Sequence, residues 1–291
     1  MANAVSLPAW ERLPEAPPIN ERSLAETLDG GQAFRWFRQP DGSWEGIWER
    51  NVVGLRLDPA SRLEYRSPSG TPPGTILHYL GLDRIPGLIA ALPCQADPVL
   101  EALCRKWGGL SLLRQPEGET LLAFICSSNK RIPQIRAMLL NLAAAFGEPV
   151  SGTGLNALPG WERLAEVREE DLRRCALGYR ARHVAGTAAF LRGNPEFLQS
   201  IQELPLPEAR VRLCRLPGVG PKVADCILLF GYGKCAAFPV DTWIARLMVR
   251  HYPELDGWTR EQLATFARLH YGRAAGLAQQ WLFADRSDPS D

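Results

Sequence analysis

Leu216-Pro217-Gly218-Val219-Gly220-Pro221-Lys222-Val223-Ala224-Asp225-Cys226 decides how the rest of this chain is read. Pro217, Gly218 and Gly220 interrupt any helix and favour a tight turn. Upstream, Ala209, Val211 and Leu213 recur at helical spacing among arginines. Downstream, Pro221 suits the first position of a new helix, where its missing N–H would be unpaired anyway. Val223, Ala224, Ile227, Leu228 and Phe230 then form an apolar face. The spacing predicts helix, glycine hairpin, helix over 207–231. Open N–H groups at the second helix's start, backed by its dipole, form a seat for phosphate. Lys222 falls in the first turn, an odd place for a cation because the positive end of the dipole lies there. Nineteen positions on, Asp241 precedes Thr242-Trp243-Ile244, the layout of a helix N-cap. An amine and a carboxylate, each held at a helix start, suit displacement of a group from carbon. On spacing alone, Lys222 is equally a solvated lysine, Asp241 a plain cap, and Gly218, Val219 and Gly220 a purely structural turn.

Around this stretch the composition is that of a globular protein with a sizeable core: 291 residues, 46% hydrophobic and 22% charged. The net charge of +1 excludes any argument for a nucleic-acid partner from overall charge, so a basic footprint must be local. Seven scattered cysteines, with no C-x-x-C pair, favour a reducing, intracellular setting over a disulfide framework. Four histidines far apart, and no Cys/His cluster at ligand spacing, predict no metal. The first residues lack a long apolar run, so neither a signal peptide nor a membrane span is expected.

The predicted fold class is α+β, a small N-terminal antiparallel sheet before a mostly helical body. Residues 1–23 are proline-rich and read as a flexible start. From Leu24 to about Arg66 the pattern reads as strands, with turns at Asp41-Gly42 and alternation in Trp44-Glu45-Gly46-Ile47-Trp48. A breaker-rich linker then closes a first domain, 1–74. Helical periodicity runs through the second, 75–291, which holds the hairpin, Lys222 and Asp241.

Four more stretches carry candidate chemistry beside a bland reading. Ser127-Ser128-Asn129-Lys130 is a polar tip after a buried-looking helix, or simply a loop. Gly178-Tyr179-Arg180-Ala181-Arg182-His183 is a surface arginine cluster, or an aromatic wedge with phosphate-binding cations. Gly30-Gly31-Gln32-Ala33-Phe34-Arg35-Trp36 is a glycine turn opening a strand. In Gln279-Gln280-Trp281-Leu282-Phe283, Gln279 and Phe283 share a face of a C-terminal helix.

Together these motifs resemble the 8-oxoguanine DNA glycosylase/AP lyase family of the helix-hairpin-helix glycosylase superfamily, from about Leu24 to Phe283. The resemblance implies a bifunctional enzyme that binds duplex DNA, flips out 8-oxoguanine opposite cytosine, and excises it by Schiff-base chemistry at Lys222 with help from Asp241. It implies contact of Gly218, Val219 and Gly220 with DNA phosphate. Asn129 and Tyr179 become insertion residues, and Arg180 the reader of the orphaned cytosine. Gly31 becomes the acceptor for N7–H, Gln279 and Phe283 the grip on the flipped base, and Cys226 a stacking partner. It implies no cofactor, no membrane association and a monomer. Two positions depart from the family pattern: Gln134 stands where an arginine is usual, and Trp243 where histidine is common. The alternatives are a related glycosylase for another oxidised or alkylated base, and a non-catalytic helix-hairpin-helix DNA-binding protein.

Overall fold

The computed structural model describes residues 7–286, so the expected flexible start lies outside the described residues for 1–6, as does the end of the helical body, 287–291. The chain opens with a short strand, β1 (Glu11–Arg12), and a helix, α1 (Glu21–Asp29). Four strands follow: β2 (Trp36–Arg38), β3 (Trp44–Trp48), β4 (Asn51–Leu57) and β5 (Leu63–Arg66). They form one antiparallel sheet in the order β1-β5-β4-β3-β2, with Trp44 opposite Leu55 and Leu55 opposite Tyr65.

The expectation that strand pattern begins at Leu24 is corrected here, because α1 occupies that stretch. Asn20 caps it by accepting from the Ser23 N–H at 2.8 Å. Its buried face is Ser23, Leu24, Thr27 and Leu28. Two hydroxyl residues on that face dilute the apolar period.

The body is helical: α2 (Pro73–Leu80), α3 (Ile85–Ala91), α4 (Pro98–Trp107), α5 (Glu117–Ser127), α6 (Ile132–Phe146), α7 (Trp161–Leu164) and α8 (Glu169–Leu172) lead to a distorted turn, Arg173–Leu177. Then come α9 (Arg180–Gly193), α10 (Phe197–Gln202), α11 (Leu206–Leu213), α12 (Pro221–Phe230), α13 (Thr242–His251), α14 (Arg260–Tyr271) and α15 (Ala275–Asp285). Among the described residues no helix is long and apolar enough to cross a membrane.

The main core gathers α5, α6, α9, α12 and α15 around side chains such as Ile125, Leu139, Val184, Ile227 and Trp281. A second cluster joins the sheet's Trp36, Trp48 and Leu55 to Tyr79 and Leu80 of α2 and to Leu113. Trp48 stacks on Tyr79 with centroids 4.0 Å apart, and the Trp36 indole N–H donates to the Tyr79 hydroxyl at 3.2 Å. The sheet thus packs on the body through aromatic side chains, which bury much area at little entropic cost.

Candidate active site

The hairpin forms as its prolines and glycines dictate. Pro221 occupies the first turn of α12, and Gly220 is its extended cap at φ −94°. Gly218 has φ +80°, and a Cβ there would stand 2.6 Å from His183 Nδ1, so both backbone and packing demand glycine. α9 therefore lies directly on the hairpin, and the Thr187 hydroxyl adds a hydrogen bond to the Pro217 carbonyl at 3.2 Å. Burial and the neighbouring Arg182 and Arg180 hold His183 below its ordinary pKa. The Val219 N–H donates to the Leu216 carbonyl at 3.1 Å, and its side chain is buried. That amide closes the turn itself. Arg210 of α11 pairs with buried Asp225 of α12 at 3.0 Å and pins the two hairpin helices together.

α12 carries Lys222, half-buried, with Nζ 5.5 Å from the centre of the Phe124 ring. One turn on, Cys226 is fully buried, and burial pushes its thiol up to about 11, against the pull of Lys222. It is a neutral wall rather than a competing thiolate nucleophile. Asp241 caps α13 as expected, its Oδ1 accepting from the Ile244 N–H at 2.8 Å. The bond fixes the carboxylate's direction while leaving Oδ2 outside it.

Lys222, Cys226, Asp241, Gly31, Gln279 and Phe283 line one small slot of about 40 Å³, together with Gly30, Phe124, Phe230, Pro239 and Gln280. Residues from both ends of the chain thus meet at the start of α12. Gly31 adopts φ +102°, and a Cβ there would lie 3.7 Å from Phe283 Cε1. Gln279 is buried and donates to the Pro239 carbonyl at 3.3 Å.

Two supporting residues escaped the sequence reading. Gln32, fully buried, donates to the Ser111 carbonyl at 2.8 Å and accepts from the Leu113 N–H at 3.0 Å. Its own carbonyl accepts from the Gln115 side chain, so the backbone beside Gly31 is locked. Gln280 donates to Gln279 Oε1 at 2.6 Å and orients that amide. The only available signal was a pair of glutamines in otherwise apolar surroundings.

The insertion candidates form a second group beyond α5. Asn129 is exposed, with φ +52°, and Tyr179 is 45% exposed. The Tyr179 hydroxyl donates to the Ser128 carbonyl at 3.4 Å, bringing the two tips together. Arg180 stands differently from an open base reader: it is 3% exposed. Its Nε and Nη2 both donate to the Ser128 carbonyl, Nε at 3.0 Å, and Nη1 to the Leu177 carbonyl at 3.3 Å. Gln134 accepts from the Arg131 N–H at 3.2 Å and so works as a cap for α6. Trp243 is 55% exposed beside Asp241, with the Arg246 guanidinium 5.8 Å from its ring centre. Among the described residues, no three His, Cys, Asp or Glu side chains are grouped to hold a metal.

An amine and an oriented carboxylate beside a narrow slot with aromatic, amide and thiol walls suit attack on a carbon attached to a planar group. Comparison with known proteins bears on which group. Residues 16–121 match the family model described as 8-oxoguanine DNA glycosylase, N-terminal domain, and residues 122–268 that of the HhH-GPD superfamily base excision DNA repair protein. The chain is 32% identical over 285 residues to an N-glycosylase/DNA lyase OGG1 of Arabidopsis thaliana, covering 90% of this chain and 77% of that protein. Its fold is similar to that of MBOgg1 in complex with a low affinity DNA ligand, with TM-score 0.86, 32% identity and coverage of 97% and 96%. It is also similar to Clostridium acetobutylicum 8-oxoguanine glycosylase/lyase in complex with dsDNA containing cytosine opposite to 8-oxoG, with TM-score 0.84, 29% identity and coverage of 96% and 98%. With its hairpin, lysine and capping aspartate in place, the chain belongs to the 8-oxoguanine DNA glycosylase family of the HhH-GPD superfamily.

Proposed function

We propose that this protein is a bifunctional glycosylase and lyase that removes 8-oxoguanine from duplex DNA and then cuts the strand at the bare sugar. One observation carries the reading: Lys222, Asp241 and the base-facing residues Gly31, Cys226, Gln279 and Phe283 line a single slot. The lone pair of Lys222 Nζ attacks C1′ as the bond to the base breaks. The base leaves with the bonding electrons and takes up a proton. Asp241, held by its cap bond, stabilises positive charge developing at the sugar. Ring opening leaves an imine between Nζ and C1′. Loss of a C2′ proton then expels the 3′ phosphate.

The Gly31 carbonyl accepts from N7–H of the oxidised base, a donor that guanine lacks because its N7 is an acceptor. Gln279 reads the base edge, and Phe283 and Cys226 stack on its faces. Asn129 and Tyr179 fill the stack and offset the few kcal/mol of unstacking. The hairpin glycines position the backbone. The preference for cytosine opposite the lesion belongs to the same proposal. For Arg180 to read that cytosine, its guanidinium must leave the Ser128 carbonyl. The enzyme works as a monomer inside the cell, in a nucleus or in a bacterial cytoplasm or nucleoid.

Borohydride trapping of wild type and Lys222→Gln tests this on duplexes with 8-oxoguanine opposite each of the four bases. Wild type cross-links, most strongly opposite cytosine, and Lys222→Gln does not. Equal trapping opposite every base removes the cytosine preference. Trapping on another lesion but not on 8-oxoguanine removes the base assignments and leaves the lysine chemistry.

A further inference from the structure

The two walls of the slot come from opposite ends of the chain: Gly31 follows α1, and Gln279 and Phe283 sit on α15. One ion pair joins them. Arg286 Nη1 lies 2.7 Å from Glu26 Oε1, and each side chain is only 18% exposed. The Arg286 guanidinium also covers the Phe283 ring, 3.8 Å from its centre, and Nη1 donates to the Phe283 carbonyl. At the other end, Glu26 lies in the last turn of α1, whose cap Gly30 donates its N–H to the Glu26 carbonyl at 2.8 Å. A Cβ on Gly30 would stand 2.4 Å from Glu26 Oε1, so the carboxylate rests directly on the Gly30 backbone. Gly31 comes next, beside Phe283. The contacts thus close a circuit from Phe283 through Arg286, Glu26 and Gly30 to Gly31 and back to Phe283.

We infer that Glu26 and Arg286 are positioning residues for base recognition, the pair that sets the gap between the Gly31 wall and the Phe283 wall. The free volume of the slot, about 40 Å³, is on the scale of one or two waters and far below that of a pocket for a small organic ligand. A purine enters only as this gap widens. The pair determines how far and in what orientation, because Phe283 moves against a guanidinium that is itself anchored on α1. Removing one charge leaves the other half-buried and uncompensated. The Gly31 carbonyl and the Phe283 ring then lose their common reference. Neither residue lines the slot beside Lys222 and Asp241, so on this inference the chemistry at C1′ does not depend on them.

This inference rests on the reading that the slot takes the damaged base, and the experiment separates the two. Wild type, Glu26→Gln, Arg286→Met and the exchange Glu26→Arg with Arg286→Glu are compared in single-turnover excision from an 8-oxoguanine·cytosine duplex. The same proteins are compared in borohydride trapping on a duplex with a preformed abasic site, which presents no base to the slot. Each single variant should excise 8-oxoguanine about tenfold more slowly or worse, as misplacement by a fraction of an ångström does. Each should trap the abasic duplex like wild type, which also establishes that it is folded. The exchange variant should recover part of the excision rate. Single variants that excise at the wild-type rate overturn the inference, as do variants that lose abasic trapping in proportion to excision. If wild type traps the abasic duplex but leaves 8-oxoguanine in place, the substrate reading fails and this inference falls with it.

Discussion

Asp241 caps a helix, and the second duty proposed for its carboxylate can be separated from the first. Oδ1 accepts from the Ile244 N–H and caps α13; the charge is proposed to face the sugar. Asn caps a helix as well as Asp does, so Asp241→Asn keeps the bond and loses the charge. Its unfolding midpoint should stay within about 2 °C of wild type. Its single-turnover excision should fall about 100-fold or more, the scale of losing one electrostatic stabiliser. Thermal scans and excision kinetics on the same preparation check this. A full-rate Asp241→Asn would leave the residue with capping alone. The cap was legible in the sequence, because a Pro-Val-Asp before a helical run signals one whatever else the carboxylate does. The state of Arg180 was not legible. The sequence marks it as one of several cations after a glycine, whereas its burial depends on the carbonyl of Ser128, far away in the chain.

At the scale of elements, that arginine joins two tips. The α5 end carries Asn129, the start of α9 carries Tyr179, and Arg180 holds both through the Ser128 and Leu177 carbonyls. If bracing is its main work, Arg180→Ala should slow excision about equally, whatever base lies opposite 8-oxoguanine. If reading cytosine is its main work, the loss should be confined to cytosine. The joint position of Arg180 in the fold predicts a loss on all four duplexes of roughly one hydrogen-bonded charge, or about 2 kcal/mol, and the proposed cytosine contact predicts a further loss opposite cytosine alone. Excision rates on the four duplexes decide it. The elements themselves were readable where breakers bound them. Pro217, Gly218 and Gly220 mark the hairpin, and Pro40, Asp41 and Gly42 mark the turn that opens β3, although burial along β3 and β4 runs on through consecutive residues instead of alternating. α1 was not, since Ser23 and Thr27 sit on its buried face and the alternation after Ala33 could be extended backward over it. The cap at Asn20 was the signal that distinguishes the two readings.

At the scale of the molecule, the sheet is held to the body by aromatic packing and by a few polar contacts, and one of these makes stability depend on pH. Glu119, in the first turn of α5, accepts from the Glu49 N–H in the β3–β4 turn at 2.9 Å. Arg35, beside the sheet, is buried and donates to the Asn156 carbonyl at 2.6 Å, while Glu119 is half-buried. Burial pushes the Glu119 carboxyl up to about 7, against the pull of Arg35 and its backbone bond. The folded-state value thus lies above that of the unfolded chain, so the folded state holds this proton more tightly. The stability contributed by the protonated form is full below about pH 4 and declines as pH rises toward 7, because the unfolded chain releases its proton first. Glu119→Gln keeps an acceptor for Glu49 and has no proton to lose. Between pH 5 and 8, wild type should therefore lose unfolding temperature relative to Glu119→Gln, and the variant should be the more stable protein at pH 8. Thermal unfolding of both across that range, in buffers of equal ionic strength, gives the comparison directly. A wild type that gains on the variant as pH rises would mean that ionised Glu119 is stabilised by Arg35 more than it is penalised by burial. The sheet would then be docked by a charge pair rather than by a neutral hydrogen bond.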